Sequence, residues 1–168
     1  MYLLKCFILY SILGFIFESV VYKVSKSVDH SGVLHGPYTF VYGLGGMFCV
    51  LVFNYLNKFC WNIILKWLVL YILFTIICTF IEYVIGHLIN LIFKYDKWNY
   101  TNHKYHFGKY ICLDYALTWG LLASFLMYLL KDFLDGVIML ISNNATWIIF
   151  TIMIIDLIYT FLKKRILT

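Results

Sequence analysis

A long apolar stretch in the middle of the chain constrains the fold more than any other feature. Glu82 is the single Asp, Glu, Lys or Arg residue within residues 67–93. A helix needs about 20 apolar residues to cross the roughly 30 Å hydrocarbon core of a bilayer. The whole chain is 64% hydrophobic and 12% charged, whereas about a quarter of the residues in soluble domains are charged. The stretch therefore predicts a membrane-spanning helix.

Four further apolar stretches extend this prediction to a bundle of about five spans. We expect residues 1–168 to form a single all-α transmembrane domain. Asn143 and Asn144 interrupt the last apolar region, and residues 132–142 before them have the pattern of an amphipathic helix in the membrane interface. The predicted spans cover residues 2–22, 37–56, 67–93, 111–130 and 147–162.

Lysine and arginine residues predict the orientation of these spans in the cell membrane. Nine of the 13 basic residues fall on one side, which favours a cytoplasmic C-terminus and an N-terminus outside. The net charge of +5 then indicates loop bias and affinity for anionic headgroups, not for nucleic acid. The nine are Lys23, Lys26, Lys94, Lys97, Lys104, Lys109, Lys163, Lys164 and Arg165, against Lys5, Lys58, Lys66 and Lys131.

Three acidic side chains lie inside the apolar stretches, namely Glu18, Glu82 and Asp156. A charged group in hydrocarbon costs a few kcal/mol or more unless a partner, a proton or water relieves it. The span assignment places all three in the inner half of the bilayer. Glu82 is too deep to reach the interface, whereas Glu18 is also explained as a snorkelling surface acid. The acids predict a polar site suited to protons or cations.

Two segments share a spacing of glycine and aromatic residues, and each follows a stretch that carries an acid. This pattern predicts two repeated units at residues 2–56 and 67–130, followed by a closing span at 147–162. Coincidence is the alternative, because glycine and aromatic residues are common in this chain. The first copy contains Gly32, Tyr38, Tyr42 and Gly43, and the second contains Gly108, Tyr115, Trp119 and Gly120.

The loops between these spans contain polar and aromatic residues. Gly36 and Pro37 predict a helix break, which serves either close packing or a re-entrant segment that lines a cavity. The loop at 94–109 is either a plain interfacial loop or a cap that offers donors to an anionic group. Its His103 and His106 lie three residues apart, but no acid or thiol set converges on them in the sequence. We therefore expect no metal and no cofactor.

These motifs together resemble the Putative ABC-transporter type IV family, a CmpB-like family of bacterial membrane proteins. The resemblance covers most of the chain and implies a permease component of ABC type. The chain has His30-Ser31 and Asn99 where the family has Asn-Arg and Asp, so those two charges are missing here. The resemblance rests on Tyr10, Ser11, Glu18, Gly32, Leu34, Gly36, Pro37, Tyr38, Tyr42, Gly43, Glu82, Trp98, Tyr100, Gly108, Ile111, Cys112, Leu113, Trp119, Gly120, Asp156, Tyr159 and Thr160.

The resemblance and the buried acids predict a permease or permease subunit that moves a small solute or ion. The chain lacks a G-x-x-x-x-G-K-[ST] motif, so an ATPase would have to be a separate subunit. Five spans are few for a complete path, which favours a homo-oligomer. A structural or regulatory subunit and a lipid-modifying enzyme are the alternatives, but no nucleophile lies at a suggestive spacing from a base, so we expect no enzyme.

The predicted residues form two groups. The substrate- or ion-binding group is Glu18, Glu82, Asp156, Tyr42, Trp98, Tyr100 and Trp119. The helix-break group is Gly32, Gly36, Pro37, Tyr38, Gly43, Gly108 and Gly120.

Overall fold

The structure is built almost entirely of helices, as predicted. A computed structural model describes residues 1–25, 33–60 and 62–166. A short antiparallel hairpin accompanies the helices, with Phe107 opposite Ile111. The helices of the described residues are α1 (Tyr2–Ser25), α2 (Phe40–Leu56), α3 (Ile63–Phe93), α4 (Leu113–Phe125), α5 (Lys131–Leu140) and α6 (Asn143–Ile166), and the strands are β1 (His106–Phe107) and β2 (Ile111–Cys112).

Several helices have the length and composition of membrane spans. Within the described residues, three qualify, namely α1 over Tyr2–Val21, α3 over its whole length and α6 over Asn143–Lys163. The apolar helix α2 is shorter, with 17 residues. A π-helical turn, Leu126–Leu130, follows α4 directly, so helical backbone covers the fourth predicted span up to its end at residue 130.

The start of α2 differs from the prediction. The helix begins at Phe40, three residues after the predicted start of the span, because the backbone before it is tied elsewhere. The Tyr38 N–H donates to the Gly36 carbonyl at 2.9 Å, and the Thr39 N–H donates to the Ser11 carbonyl of α1 at 3.0 Å. The preceding segment 35–39 therefore stays outside the helix as a bent loop, with Thr39 bonded to α1.

Capping residues explain why α3 and α6 begin before the predicted spans. The Asn62 side chain accepts a hydrogen bond from the Ile64 N–H at 2.9 Å at the start of α3. Ser142 caps α6 in the same way, since its hydroxyl oxygen accepts from the Ala145 N–H at 3.2 Å. Polar side chains at this position satisfy N–H groups that have no partner inside the helix.

The later helical region also departs from the predicted ends. Helix α4 begins at Leu113, because Ile111 and Cys112 pair with β1 instead. Helix α5 follows the π-helical turn directly, with Lys131 in helical dihedral angles. The break predicted near Asn143 falls at residues 141–142. The location of α5 in a membrane interface stays a prediction.

The chain divides into two compact units. The first consists of Met1–Leu44 with Gly136–Thr168, and the second of Gly45–Asp135. Glu18 and Asp156 belong to the first unit and Glu82 belongs to the second. Each unit therefore has its own polar cluster to describe, and the predicted sequence repeat stays a prediction.

Candidate functional site

Glu82 lies buried on α3, with 9% of its surface exposed. Its Oε1 accepts a hydrogen bond of 2.6 Å from the Tyr100 hydroxyl, and its carboxylate accepts a second one from the indole N–H of Trp119. Both donors are neutral, and no cation pairs with Glu82 among the described residues. The structure thus brings together three of the predicted site residues around one carboxylate.

A close helix contact places Trp119 beside this carboxylate. A methyl group at Gly120 of α4 would overlap the hydroxyl of Thr75 on α3, so the two backbones can approach only because Gly120 has no side chain. Thr75 precedes Glu82 by seven residues, which is about two helical turns and the same helix face. Gly120 therefore brings α4 onto the face of α3 that carries Glu82.

Tyr100 is held in place by its aromatic neighbours. Its ring stacks on Tyr115 of α4, with centroids 4.8 Å apart and planes 20° apart. The His103 ring meets both tyrosine rings edge-on, at 5.6 and 5.4 Å. The Tyr100 N–H also donates to the Lys109 carbonyl at 2.8 Å. The loop therefore presents the Tyr100 hydroxyl to Glu82 from a fixed position.

Asp156 of α6 is surrounded by donors from the segment 35–39. Its Oδ2 accepts hydrogen bonds from the N–H groups of His35 at 3.0 Å and Gly36 at 2.9 Å, and from the Tyr38 hydroxyl at 2.7 Å. Its Oδ1 lies 3.1 Å from Nδ1 of His35 and accepts from the Thr160 hydroxyl at 3.3 Å. Asp156 therefore fixes this segment against the last helix.

Glu18 reaches the same segment from α1. Its Oε2 accepts a long hydrogen bond of 3.4 Å from the Thr39 hydroxyl. Tyr42 lies nearby, because its ring packs directly on Gly14, one helical turn before Glu18. The first unit therefore joins two predicted acids, Glu18 and Asp156, through five consecutive residues of one loop.

Gly43 repeats in the first unit the packing seen at Gly120. A methyl group at Gly43 would overlap the hydroxyl of Ser11 and lie 2.7 Å from the Phe7 carbonyl oxygen. Ser11 precedes Glu18 by seven residues, so this glycine also packs on the helix face that carries an acid. Each Gly-aromatic motif thus brings a helix against an acid-bearing helix.

Trp98, Pro37 and Gly108 make no hydrogen bond to these acids among the described residues. The Trp98 indole N–H is buried and donates to no acceptor among the described residues. Gly108 forms the turn of the hairpin with a φ of +63°, a conformation that other residues adopt at a cost. Pro37 is exposed, and Gly32 lies outside the described residues.

Comparison with known proteins extends the sequence resemblance to nearly the whole chain. Residues 5–162 match the family described as Putative ABC-transporter type IV. The chain belongs to this family. No curated protein and no solved structure matches it. Together with the long apolar helices, membership of the Putative ABC-transporter type IV family identifies a membrane protein related to transport.

Sequence reasoning missed several partners of the acids in this Putative ABC-transporter type IV protein. Thr160 was recognised in the family motif but not as a partner of Asp156, although its position one helical turn later could have indicated the hydrogen bond. His35 lies 121 positions from Asp156 and shares no pattern with it. Tyr115 was recognised as part of a motif, but its stacking on Tyr100 depends on how the loop folds back.

The loop that carries Tyr100 is fastened by Asp96. Its Oδ1 accepts from the Tyr110 hydroxyl at 2.5 Å and from the Asn90 amide at 2.7 Å, and Nζ of Lys109 lies 3.2 Å from Oδ2. These contacts, with the Tyr110 hydroxyl first among them, hold the pKa of Asp96 below its ordinary value of 3.8. Burial and the contact with Asp96 raise the pKa of Tyr110 to about 12, so its hydroxyl remains a donor.

We expect the backbone amides of the hairpin to lose protection from hydrogen exchange in acid. Because the pKa of Asp96 is lowered on folding, its stabilisation is fully present above 3.8 and is lost as the pH falls through the lower folded value. Hydrogen exchange of residues 96–112, corrected for intrinsic rates, measures this between about pH 5 and pH 2.5. Asp96→Asn should be less protected at the higher pH and change less. An equal pH response in both proteins would contradict the prediction.

Proposed function

We propose that this protein is a permease, or a permease subunit, that moves a small solute or ion through a polar site built on intramembrane carboxylates. The observation that carries the proposal is the surroundings of Glu82. A buried carboxylate on a helix long enough to span a membrane receives two neutral donors and no cation among the described residues. Such a group is relieved by binding a proton or a cation.

The neutral donors suit exchange of that cation. The Tyr100 hydroxyl and the Trp119 indole orient the carboxylate without neutralising it. A lysine or arginine in their place would form a permanent pair and leave no charge for a passing ion. We therefore assign Glu82 as the exchangeable site, with the two aromatic residues as its positioning groups.

Asp156 has a different proposed role. Four groups of residues 35–38 contact its carboxylate and hold the segment 35–39 against α6, and Glu18 reaches that segment through Thr39. His35 is half exposed beside Asp156, so it offers a proton-accepting group at the solvent side of this cluster. We propose that this cluster shapes the entrance of the path and takes part in proton or cation transfer.

Family membership supports a separate ATPase subunit as a partner, and the small number of spans supports a homo-oligomer. Purification from native membranes tests both, because an ATPase that accompanies the chain would support ABC-type transport. A preparation that is active without ATP would instead support an ion-driven permease.

A lipid-modifying enzyme is the second candidate, favoured by one observation. An aspartate that holds Nδ1 of a half-exposed histidine, as Asp156 holds His35 at 3.1 Å, orients that histidine as a general base. Conversion of labelled lipid by the purified protein, lost in His35→Ala, would favour this reading. The non-enzyme proposal predicts no product.

Reconstitution into proteoliposomes tests the permease proposal. Vesicles that contain pH-sensitive and cation-sensitive dyes report proton and cation movement directly. We expect flux above that of empty vesicles, either from the chain alone or with a copurified ATPase. Absence of flux in both preparations would leave a structural subunit as the better reading.

We also propose the cell membrane as the location, with the N-terminus outside and the C-terminus in the cytoplasm. Cys60 is exposed in the loop after α2, which this orientation places outside. An impermeant maleimide should therefore label Cys60 in intact cells, and Cys60→Ser should remove the label. Labelling of Cys60 only after cell lysis would indicate the opposite orientation, with this loop in the cytoplasm.

A further inference from the structure

A thiol, an imidazole and a carboxylate converge outside the acid clusters described above. The donor atoms of His103, Cys112 and Asp114 all lie within 4.8 Å of one another. Cys112 is buried, with 1% of its surface exposed, while His103 is half-buried and Asp114 is exposed. The cluster therefore has one protected donor and one side open to solvent.

The hairpin brings these distant residues together. Cys112 pairs with His106 across the two strands, and the Leu113 N–H donates to the Tyr105 carbonyl at 2.9 Å. The His103 N–H donates to the Tyr100 carbonyl at 2.9 Å, which closes the turn that carries the imidazole. Backbone hydrogen bonds therefore fix the chain on both sides of the cluster.

The donor atoms of these three side chains are not used by other polar groups in the part of the chain that the structure describes. Neither a hydrogen bond nor an ion pair engages the His103 ring nitrogens, the Cys112 sulfur or the Asp114 carboxylate. The His103 ring is held by edge-on contacts with Tyr100 and Tyr115. The ring is thus oriented without its donor atoms being used.

We propose that His103, Cys112 and Asp114 bind a divalent transition metal of the Zn²⁺ type. Thiolate, imidazole and carboxylate are ligands that Zn²⁺ accepts together, and two anionic ligands balance the charge of the ion. Ligand atoms around tetrahedral Zn²⁺ lie about 3.3–3.7 Å apart, given metal–ligand distances of about 2.0–2.3 Å. The donor atoms lie within 4.8 Å, and the exposed Asp114 side chain has room to rotate toward the other two.

Three protein ligands leave a fourth position of the metal open to water or to another ligand. The proposal does not depend on transport, because it concerns binding by a cluster separate from the acids. It also differs from the sequence prediction of no metal, which considered His103 with His106. His106 bonds the Gly108 carbonyl through Nδ1 at 3.0 Å and lies outside the cluster.

Cobalt binding tests the site in the full chain. The protein is purified in detergent with an affinity tag that lacks histidine, and Co²⁺ is titrated while the thiolate-to-cobalt absorption in the near ultraviolet is recorded. We expect one equivalent of Co²⁺ to produce this absorption and Zn²⁺ to displace it. Cys112→Ser should abolish the absorption, and His103→Gln and Asp114→Asn should weaken binding at least about tenfold.

Matched variants separate this site from unspecific binding. Cys60→Ser and His106→Gln remove an exposed thiol and a neighbouring imidazole, and both should leave the absorption and the affinity unchanged. No thiolate absorption at one equivalent, or absorption that disappears in Cys60→Ser, would overturn the proposal. If Cys112→Ser does not fold, unchanged affinity in both His103→Gln and Asp114→Asn would overturn it equally.

Discussion

Glu82→Gln is expected to lower proton or cation flux in proteoliposomes by roughly 10- to 100-fold. A charged hydrogen-bonded contact is worth about 1.5–3 kcal/mol, and each 1.4 kcal/mol corresponds to a factor of about ten. Glutamine keeps the shape of the side chain, and its carbonyl oxygen can still accept from the Tyr100 hydroxyl. The substitution therefore removes the exchangeable charge and leaves the surrounding packing in place.

Stability measurements decide what a loss of flux means. Thermal unfolding of Glu82→Gln in detergent should resemble that of the unaltered protein, since no charge pair is broken among the described residues. Asp132→Asn is the matched control, because Asp132 is an exposed acid in the first turn of α5. Its flux should be unchanged. Full flux in Glu82→Gln would refute the assignment of Glu82, and lost stability with full flux would favour a structural role.

Gly43→Ala is expected to destabilise the protein by about 1–3 kcal/mol, the usual cost of forcing extra volume into a packed contact. The added methyl group would meet the Ser11 hydroxyl and the Phe7 carbonyl oxygen. A backbone oxygen cannot rotate away as a side chain can, so the two helices would have to separate. Thermal unfolding in detergent measures the effect as a lower midpoint.

Gly45→Ala provides the control on the same helix. A methyl group at Gly45 has no neighbour within 4 Å, so the better helix propensity of alanine should leave stability unchanged or slightly raised. Ser11→Gly combined with Gly43→Ala should recover part of the loss, because one of the two obstructing groups is gone. Equal stability of Gly43→Ala and Gly45→Ala would show that the helix contact tolerates the larger residue.

The helical architecture could be predicted from the sequence because hydrophobic length alone dictates membrane helices. The ends of the helices could not, since they depend on particular hydrogen bonds. Helix α2 starts late because Thr39 is bound to Ser11, and α4 starts late because Cys112 belongs to a strand. The hydrophobic pattern around these residues predicts neither the hydrogen bond to Ser11 nor the strand pairing of Cys112.

The candidate sites, too, could be predicted from the sequence only in part. Glu82 was predicted from its depth in an apolar stretch, and Trp119 and Tyr100 from their motifs, and the structure places the three in contact. The cluster of His103, Cys112 and Asp114 was missed, because these residues are brought together only when the hairpin folds. Residue spacing predicts which side chains share a face of one helix or strand. It does not predict which residues come into contact when a loop folds back on itself.

The attachment of Asp156 to the start of the chain has a consequence for biosynthesis. The ribosome synthesises His35 and Gly36 about 120 residues before Asp156, whose carboxylate accepts hydrogen bonds from their N–H groups. A nascent chain halted before α6 therefore displays donors that lack their acceptor. The segment 35–39 is therefore fastened to α6 only after that helix has been made.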